Sequence, residues 1–354
     1  MLKDKTTVIK EKLRANTAFL PLGVQYRSNQ LQISGPMPEQ NFPEYLSLAR
    51  LNINRCLAPT ECPDMAIAAH SVQKSRFIKQ LAEDGHVLTV KLDATARNGL
   101  SIDLRSVGVN QATTFTGLCA NHDNAIFSPI EKQEIDFTNS EQLFLLAYRC
   151  TLSELHEQMV SARRVQGAYT NRVRKGIDSG SVPSQAGFQA IQRFVLAYET
   201  YQYKCTLDAA LNARRFKFLH HEVIRVSTKM ATVAGNSVYS VGDVDIGDSW
   251  LRVHLNVLPI SQSETVVVFS CVEDASKEAL RHLAPVMSSL DTADRLKLSQ
   301  FIIDGCGNTV FRPSFVHSWS RTKHNAVLKY FLDSVWKPQL DRITGDLSVF
   351  ALET

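Results

Sequence analysis

Three textures of hydrophobic patterning follow one another along the chain. Residues 1 to 140 interrupt short alternating runs, such as His86-Val87-Leu88-Thr89-Val90-Lys91-Leu92, with turn-rich stretches around Gly35-Pro36, Pro43, Pro59 and Pro63. This predicts an irregular α+β segment, because alternation suits half-buried strands and clustered Pro and Gly break regular structure. From 141 to 218 the period lengthens. Tyr148, Leu152, Leu155, Met159, Ala162, Gln166, Tyr169 and Val173 recur at intervals of four and three, which places them on one helical stripe. The Gly- and Ser-rich stretch from Gly176 to Gly187 ends that helix, and Phe188, Ile191, Val195 and Tyr198 give the next helix an apolar face. The pair predicts an antiparallel helical hairpin whose first arm, from Leu145 to Lys175, is roughly 45 Å long. After His220, strand-length runs at Glu222–Ser227, Trp250–Val257 and Glu264–Ser270 are followed by helical stretches from Ala275 to Asp304 and from Lys323 to Trp336. The expected fold class is α+β, in three units: a small N-terminal module over 1–140, the central hairpin over 141–218, and a mixed β-sheet with packed helices over 219–354.

Composition narrows the class without naming a function. With 354 residues, 44% apolar and 21% charged, the chain is long enough for real cores and excludes disordered and fibrous types. The charged N-terminus lacks the apolar core of a signal peptide, and no run approaches the roughly 18 apolar residues that span a bilayer. A cytoplasmic protein with no membrane partner is expected. The net charge of +4 is uneven: residues 149 to 218 hold 11 basic and 5 acidic residues. Arg163-Arg164, Arg172 and Arg174-Lys175 cluster on the predicted hairpin with Tyr169, Tyr198, Tyr201 and Tyr203 among them. Arginines suit phosphate and aromatics can stack on bases, so this arm is the candidate nucleic-acid surface. The plainer alternative is a solvated helix face with its tyrosines in a seam. Neither a Walker loop, nor GxGxxG, nor GxSxG occurs, which argues against P-loop NTPases, simple Rossmann enzymes and α/β-hydrolases.

The seven cysteines are an odd, dispersed set, which suits a reducing compartment and metal binding better than a disulfide framework. Cys56 and Cys62 have five residues between them, and much later comes Cys119-Ala120-Asn121-His122. Thiolate and imidazole are the ligands zinc prefers, and two close pairs around a long insertion build a tetrahedral site. Buried structural thiols are the alternative reading. His70 is a further candidate ligand, in place of Cys62, or a satisfied buried histidine. His86, beside Glu83-Asp84, is better read as a turn leading into a strand, and the acidic run Asp243 to Asp248 as a polar turn because it lacks the remaining ligands of a calcium loop.

Arg55-Cys56 to Cys62, Ala66-Ile67-Ala68-Ala69-His70-Ser71-Val72-Gln73, and Phe115 to Glu131 with Cys119, His122 and Asp123 resemble the zinc module of a group of uncharacterised bacterial proteins. More distantly, the arrangement is similar to the HNH (His-Me finger) nuclease family, in which a zinc-stapled ββα unit cleaves phosphodiesters. The resemblance covers about residues 55 to 131. It implies Cys56, Cys62, Cys119 and His122 as structural zinc ligands, His70 as the base that activates water, and Asp123 where the family usually has Asn. It also implies Mg²⁺ or Mn²⁺ for cleavage and, by analogy, a role in bacterial defence. The sequence departs from the pattern in two places. Ala69 stands where an acidic residue commonly precedes the base, and Pro129 is expected to cut short the helix that would present a catalytic-metal ligand, the next histidine being the distant His156. Two functions follow as expectations: a zinc-containing, nucleic-acid-interacting protein with possible HNH-like nuclease activity, or a non-enzymatic assembly protein in which zinc is structural and the hairpin contacts a protein partner or a second copy.

Overall fold

The computed structural model describes residues 24–27, 30–33, 53–95, 99–179, 181, 184–240, 251–288, 295–305, 308–336 and 346–352. The run Asp243 to Asp248 and Cys306 lie outside the described residues. Strands β1 (Val24–Arg27) and β2 (Gln30–Ile33) form an antiparallel pair. Strands β3 (Ala68–His70) and β6 (Thr114–Thr116) form a second one, and helix α1 (Ala120–Glu131) follows directly. Between β3 and β6 the chain leaves as a long hairpin, β4 (His86–Thr95) and β5 (Gly99–Gly108).

That hairpin joins strands contributed by the C-terminal part of the chain. With β7 (Leu219–Met230), β8 (Val233–Ser240), β9 (Arg252–Pro259), β10 (Glu264–Val272), β11 (Thr309–Phe311) and β12 (Ala351–Leu352) it makes an eight-stranded sheet, ordered β12-β7-β10-β9-β8-β11-β4-β5. The α+β class holds, and every described pairing in this sheet is antiparallel. Both faces are covered, so β9 is buried at each of its positions although its sequence alternates, with Arg252, His254 and Asn256 as buried polar residues between Val253, Leu255 and Val257. The period of two survives on β10. Val266 and Val268 join a core with helix residues Leu143, Tyr148 and Leu152, whereas Val267 and Phe269 join the opposite core with Leu283, Phe301 and Val327. These last belong to α4 (Ser276–Ser288), α5 (Leu296–Gly305) and α7 (Arg321–Trp336); the short α6 (Pro313–His317) precedes α7.

Helices α2 (Ser140–Arg174) and α3 (Gln185–Asn212) form the expected hairpin. Asn139 caps α2 by accepting from the amides of Glu141 and Gln142. At the other end Gly176 has φ +69°; its amide reaches the Val173 carbonyl and the Ile177 amide reaches that of Arg172, a Schellman termination that glycine allows. The first half of α2 is buried nearly all round, as a helix enclosed by a sheet, α1 and α3 must be. In the outer half the seam runs through Ala162, Val165 and Ala168, while Gln166 is exposed, a shift of about one position from the expected stripe.

Helix α3 departs further from expectation. Ile191 and Tyr198 were expected to be packed, yet they are 40% and 44% exposed. The inner face is built instead from small and polar residues such as Ala190, Ala197, Thr200, Lys204 and Asp208, which let α3 lie close to α2. Pro129 also does not cut α1 short. The helix runs through it to Glu131, and Gln142 Nε2 donates to the Pro129 carbonyl over 2.9 Å.

Candidate metal centre

Residues 53 to 67 fold into a knuckle. Its ends are tied by a bridge between Arg55 and Met65 and by the Ala66 amide donating to the Asn54 carbonyl over 2.8 Å. The knuckle is clipped to the segment after β6: the Leu57 amide donates to Gly117 O and the Ile67 amide to Leu118 O, both at 2.8 Å, and Thr116 Oγ1 donates to Ile53 O over 2.7 Å. A side chain at Gly117 would collide with the Phe115 ring, so this clip requires glycine. Cys119 then sits at the N-cap of α1 in extended conformation, and His122 lies in the first turn. An i, i+3 pair on a helix shares one face, so both side chains turn toward the knuckle.

Cys56, Cys62, Cys119 and His122 thereby form one group whose candidate ligand atoms all lie within 4.8 Å of one another. Cys62 Sγ is 3.9 Å from Cys119 Sγ, and His122 Nδ1 is 3.2 Å from Cys119 Sγ and 3.6 Å from Cys56 Sγ. A tetrahedron with metal–sulfur bonds of about 2.3 Å and a metal–nitrogen bond of about 2.0 Å has edges of roughly 3.5 to 3.8 Å, close to this spacing. The sulfur separation is far beyond a disulfide bond of about 2.05 Å. The group can hold a metal ion. The Cys119 amide donates to Cys56 Sγ over 3.2 Å. The His122 and Asn121 amides hold the Cys119 thiol below its ordinary pKa, against burial. The Asp64 amide acts in the same sense on Cys62, but burial and the sulfurs of Cys119 and Cys56 outweigh it and push that thiol up to about 11. Sulfurs this close without a cation between them resist joint ionisation, and a bound metal removes that conflict.

His70 lies outside the group. It ends β3, half-buried, with Nε2 2.9 Å from the Val109 carbonyl. A carbonyl can only accept, so Nε2 carries the proton and Nδ1 keeps its lone pair. Burial, which outweighs the Val109 contact, lowers its pKa. Asp123 is half-buried in the first turn of α1, and burial raises its carboxyl despite the Arg149 guanidinium. Arg149 acts electrostatically on both His70 and Asp123. It is itself buried, pairs with Glu131 at 2.6 Å and lies 4.0 Å from the centre of the Phe127 ring. Residue 127, one turn beyond Asp123, is therefore a core aromatic and not a ligand.

The basic residues of the hairpin separate into two groups. Arg163, Arg174 and Lys175 are exposed along the outer side of α2, whereas Arg164 is half-buried and Arg172 is held by Asp178 at 2.6 Å. Two features were not legible in the sequence. Lys204, Asp208 and Tyr148 form a buried network that reaches the knuckle, with Lys204 Nζ 2.7 Å from Asp208 Oδ2 and 3.3 Å from Ala58 O, and Tyr148 donating to Asp208 Oδ1 over 2.7 Å. A polar cavity of about 520 Å³ also lies between α2 and the sheet, with Glu154, Glu157, Gln158, Arg193, Lys91 and Asn236 among its lining residues. An i, i+4 Lys–Asp spacing was the only sequence signal for the network.

Compared with known proteins, the chain matches no family model, no curated protein and no solved structure, so the functional reading rests on the residues themselves. No described helix is long and apolar enough to cross a membrane.

Proposed function

We propose that the four-residue centre binds zinc and staples a ββα unit with which the protein engages nucleic acid in the manner of the HNH-like modules it resembles. Three thiolates and an imidazole at tetrahedral spacing favour zinc over the harder cations, which prefer oxygen. Zinc is structural in this reading: all four positions are filled by side chains, leaving none open for substrate.

The observation that carries the nucleic-acid reading is the state of His70. It closes β3, beside β6 and ahead of the zinc-stapled α1, with its Nε2 proton given to Val109 and its Nδ1 lone pair left to accept. A base that activates water needs to be neutral at pH 7, oriented by a fixed partner and able to accept at its other nitrogen, and the lowered pKa and the Val109 contact supply the first two at His70. Water would lose a proton to Nδ1, and the hydroxide would form a bond to phosphorus as the bond to the leaving oxygen breaks. Mg²⁺ or Mn²⁺, with Asp123 as the assigned carboxylate, would supply charge stabilisation to that oxygen. Arg163, Arg174 and Lys175 on the outer side of α2 provide the phosphate-binding surface.

Incubation of the zinc-loaded protein with plasmid DNA or RNA and Mn²⁺, beside His70→Ala, tests the chemistry. Cleavage lost in the variant supports His70 as base, and equal cleavage by both rejects it. Fluorescence anisotropy with single- and double-stranded oligonucleotides tests binding separately. Reversing Arg163, Arg174 and Lys175 to Glu should weaken binding at least tenfold and flatten its salt dependence, and an unchanged slope rejects the arm.

A further inference from the structure

The outer surface of α3 has the opposite character to that of α2. From Phe194 to Asn212 every exposed residue is uncharged, and the three charged residues in that span, Glu199, Lys204 and Asp208, are all buried. Ile191, Phe194, Tyr198 and Tyr201 stand out at 40%, 63%, 44% and 49% exposure. Their spacing of three, four and three residues, continued by exposed Cys205 four residues on, is that of a coiled-coil seam. A surface helix normally turns its charges to water and its aromatics to the core, and here that polarity is inverted.

We infer that this face of α3 is a self-association surface, pairing with the same face of a second copy of the chain. Charge decides between occupants. Nucleic acid could stack bases on Phe194, Tyr198 and Tyr201, but each nucleotide carries a phosphate, and the cations to meet them are few: Arg193 is the one exposed on α3, and Arg55 of the knuckle acts on Tyr201 alone of these rings. A strongly acidic or basic protein partner finds no complementary charge. A second copy needs none. Two chains that each present Arg163, Arg174 and Lys175 beside α2 repel through that side, and the stretch of α3 whose own exposed residues are uncharged is where like can meet like.

The area agrees. The four apolar residues expose roughly 400 Å² per copy, so an isologous pairing covers roughly 800 Å² before polar neighbours such as Gln202 and Thr206 bring it toward the 1,200 Å² of a small stable interface. The inference does not depend on the nucleic-acid reading, because it uses the other side of the hairpin.

Light scattering coupled to size exclusion on the full chain reads the result. The expected mass is about twice 39.6 kDa, and Phe194→Glu with Tyr198→Glu should return the single-chain mass at the same concentration while far-UV circular dichroism stays unchanged. A short bismaleimide should link two wild-type chains through Cys205, and Cys205→Ser should abolish the linked species without altering the fold. A wild-type protein of single-chain mass at all concentrations overturns the inference. So does a dimer that survives the double substitution, or a monomer whose oligonucleotide binding is lost in that variant.

Discussion

The backbone amide of Cys119 donates to Sγ of Cys56 across 3.2 Å, joining the start of helix α1 to a knuckle that begins more than sixty residues earlier in the chain. The first amides of a helix have no partner within it, and here they point at sulfur. A metal bound at this group would therefore also fix the placement of α1. Cys119→Ser is expected to reduce bound metal from one ion per chain to none and to shift denaturant unfolding to lower concentration, because metal-binding energy becomes folding energy in such a site. Exposed Cys205 lies outside the group, so Cys205→Ser should keep the full metal content. Elemental analysis of the three proteins checks both expectations.

The buried pair Lys204–Asp208 should behave asymmetrically. Asp208→Ala leaves Lys204 buried with only the Ala58 carbonyl as partner and orphans the Tyr148 hydroxyl, and is expected to cost about 3 to 5 kcal/mol. Replacing both charges, as Lys204→Met with Asp208→Leu, should cost clearly less because no uncompensated charge remains. Urea unfolding of the two variants measures the difference, and equal losses would contradict the account.

Acid should weaken the fold through His254. This ring is fully buried against Ser270 O at 3.0 Å and Thr151 Oγ1 at 2.8 Å, and burial brings its pKa from 6.5 down to about 4. The unfolded chain then binds more protons than the native one between those values. The stabilisation is complete above pH 6.5 and is lost as pH falls toward 4, by on the order of 3 kcal/mol. His254→Gln should lower stability at pH 7 and flatten the loss between pH 6.5 and 4. Unfolding curves across that range provide the test.

Local chemistry was readable from the residues, and tertiary choices were not. The candidate metal ligands stood out by type, as three cysteines and a histidine in two close pairs, and the structure brings their ligand atoms within 4.8 Å of one another. Gly176 marked the end of α2 because only a left-handed residue completes that turn. The second partner of β4, strand β11, was invisible: Thr89 pairs with Val310, and no local signal spans that separation. The stripe on α3 was visible at helical spacing, but spacing carries no information on which side faces the core. There Ala190, Ala197 and the buried charges took the inner side and left Tyr198 outside. Arg172 read as a free cation until the turn brought Asp178 onto it.

Zinc K-edge X-ray absorption on the full chain, purified in the presence of zinc, addresses the central claim most directly. The account predicts one zinc per chain with three sulfur neighbours at about 2.3 Å and one nitrogen at about 2.0 to 2.1 Å. A first shell dominated by oxygen, or fewer than three sulfurs, would contradict it.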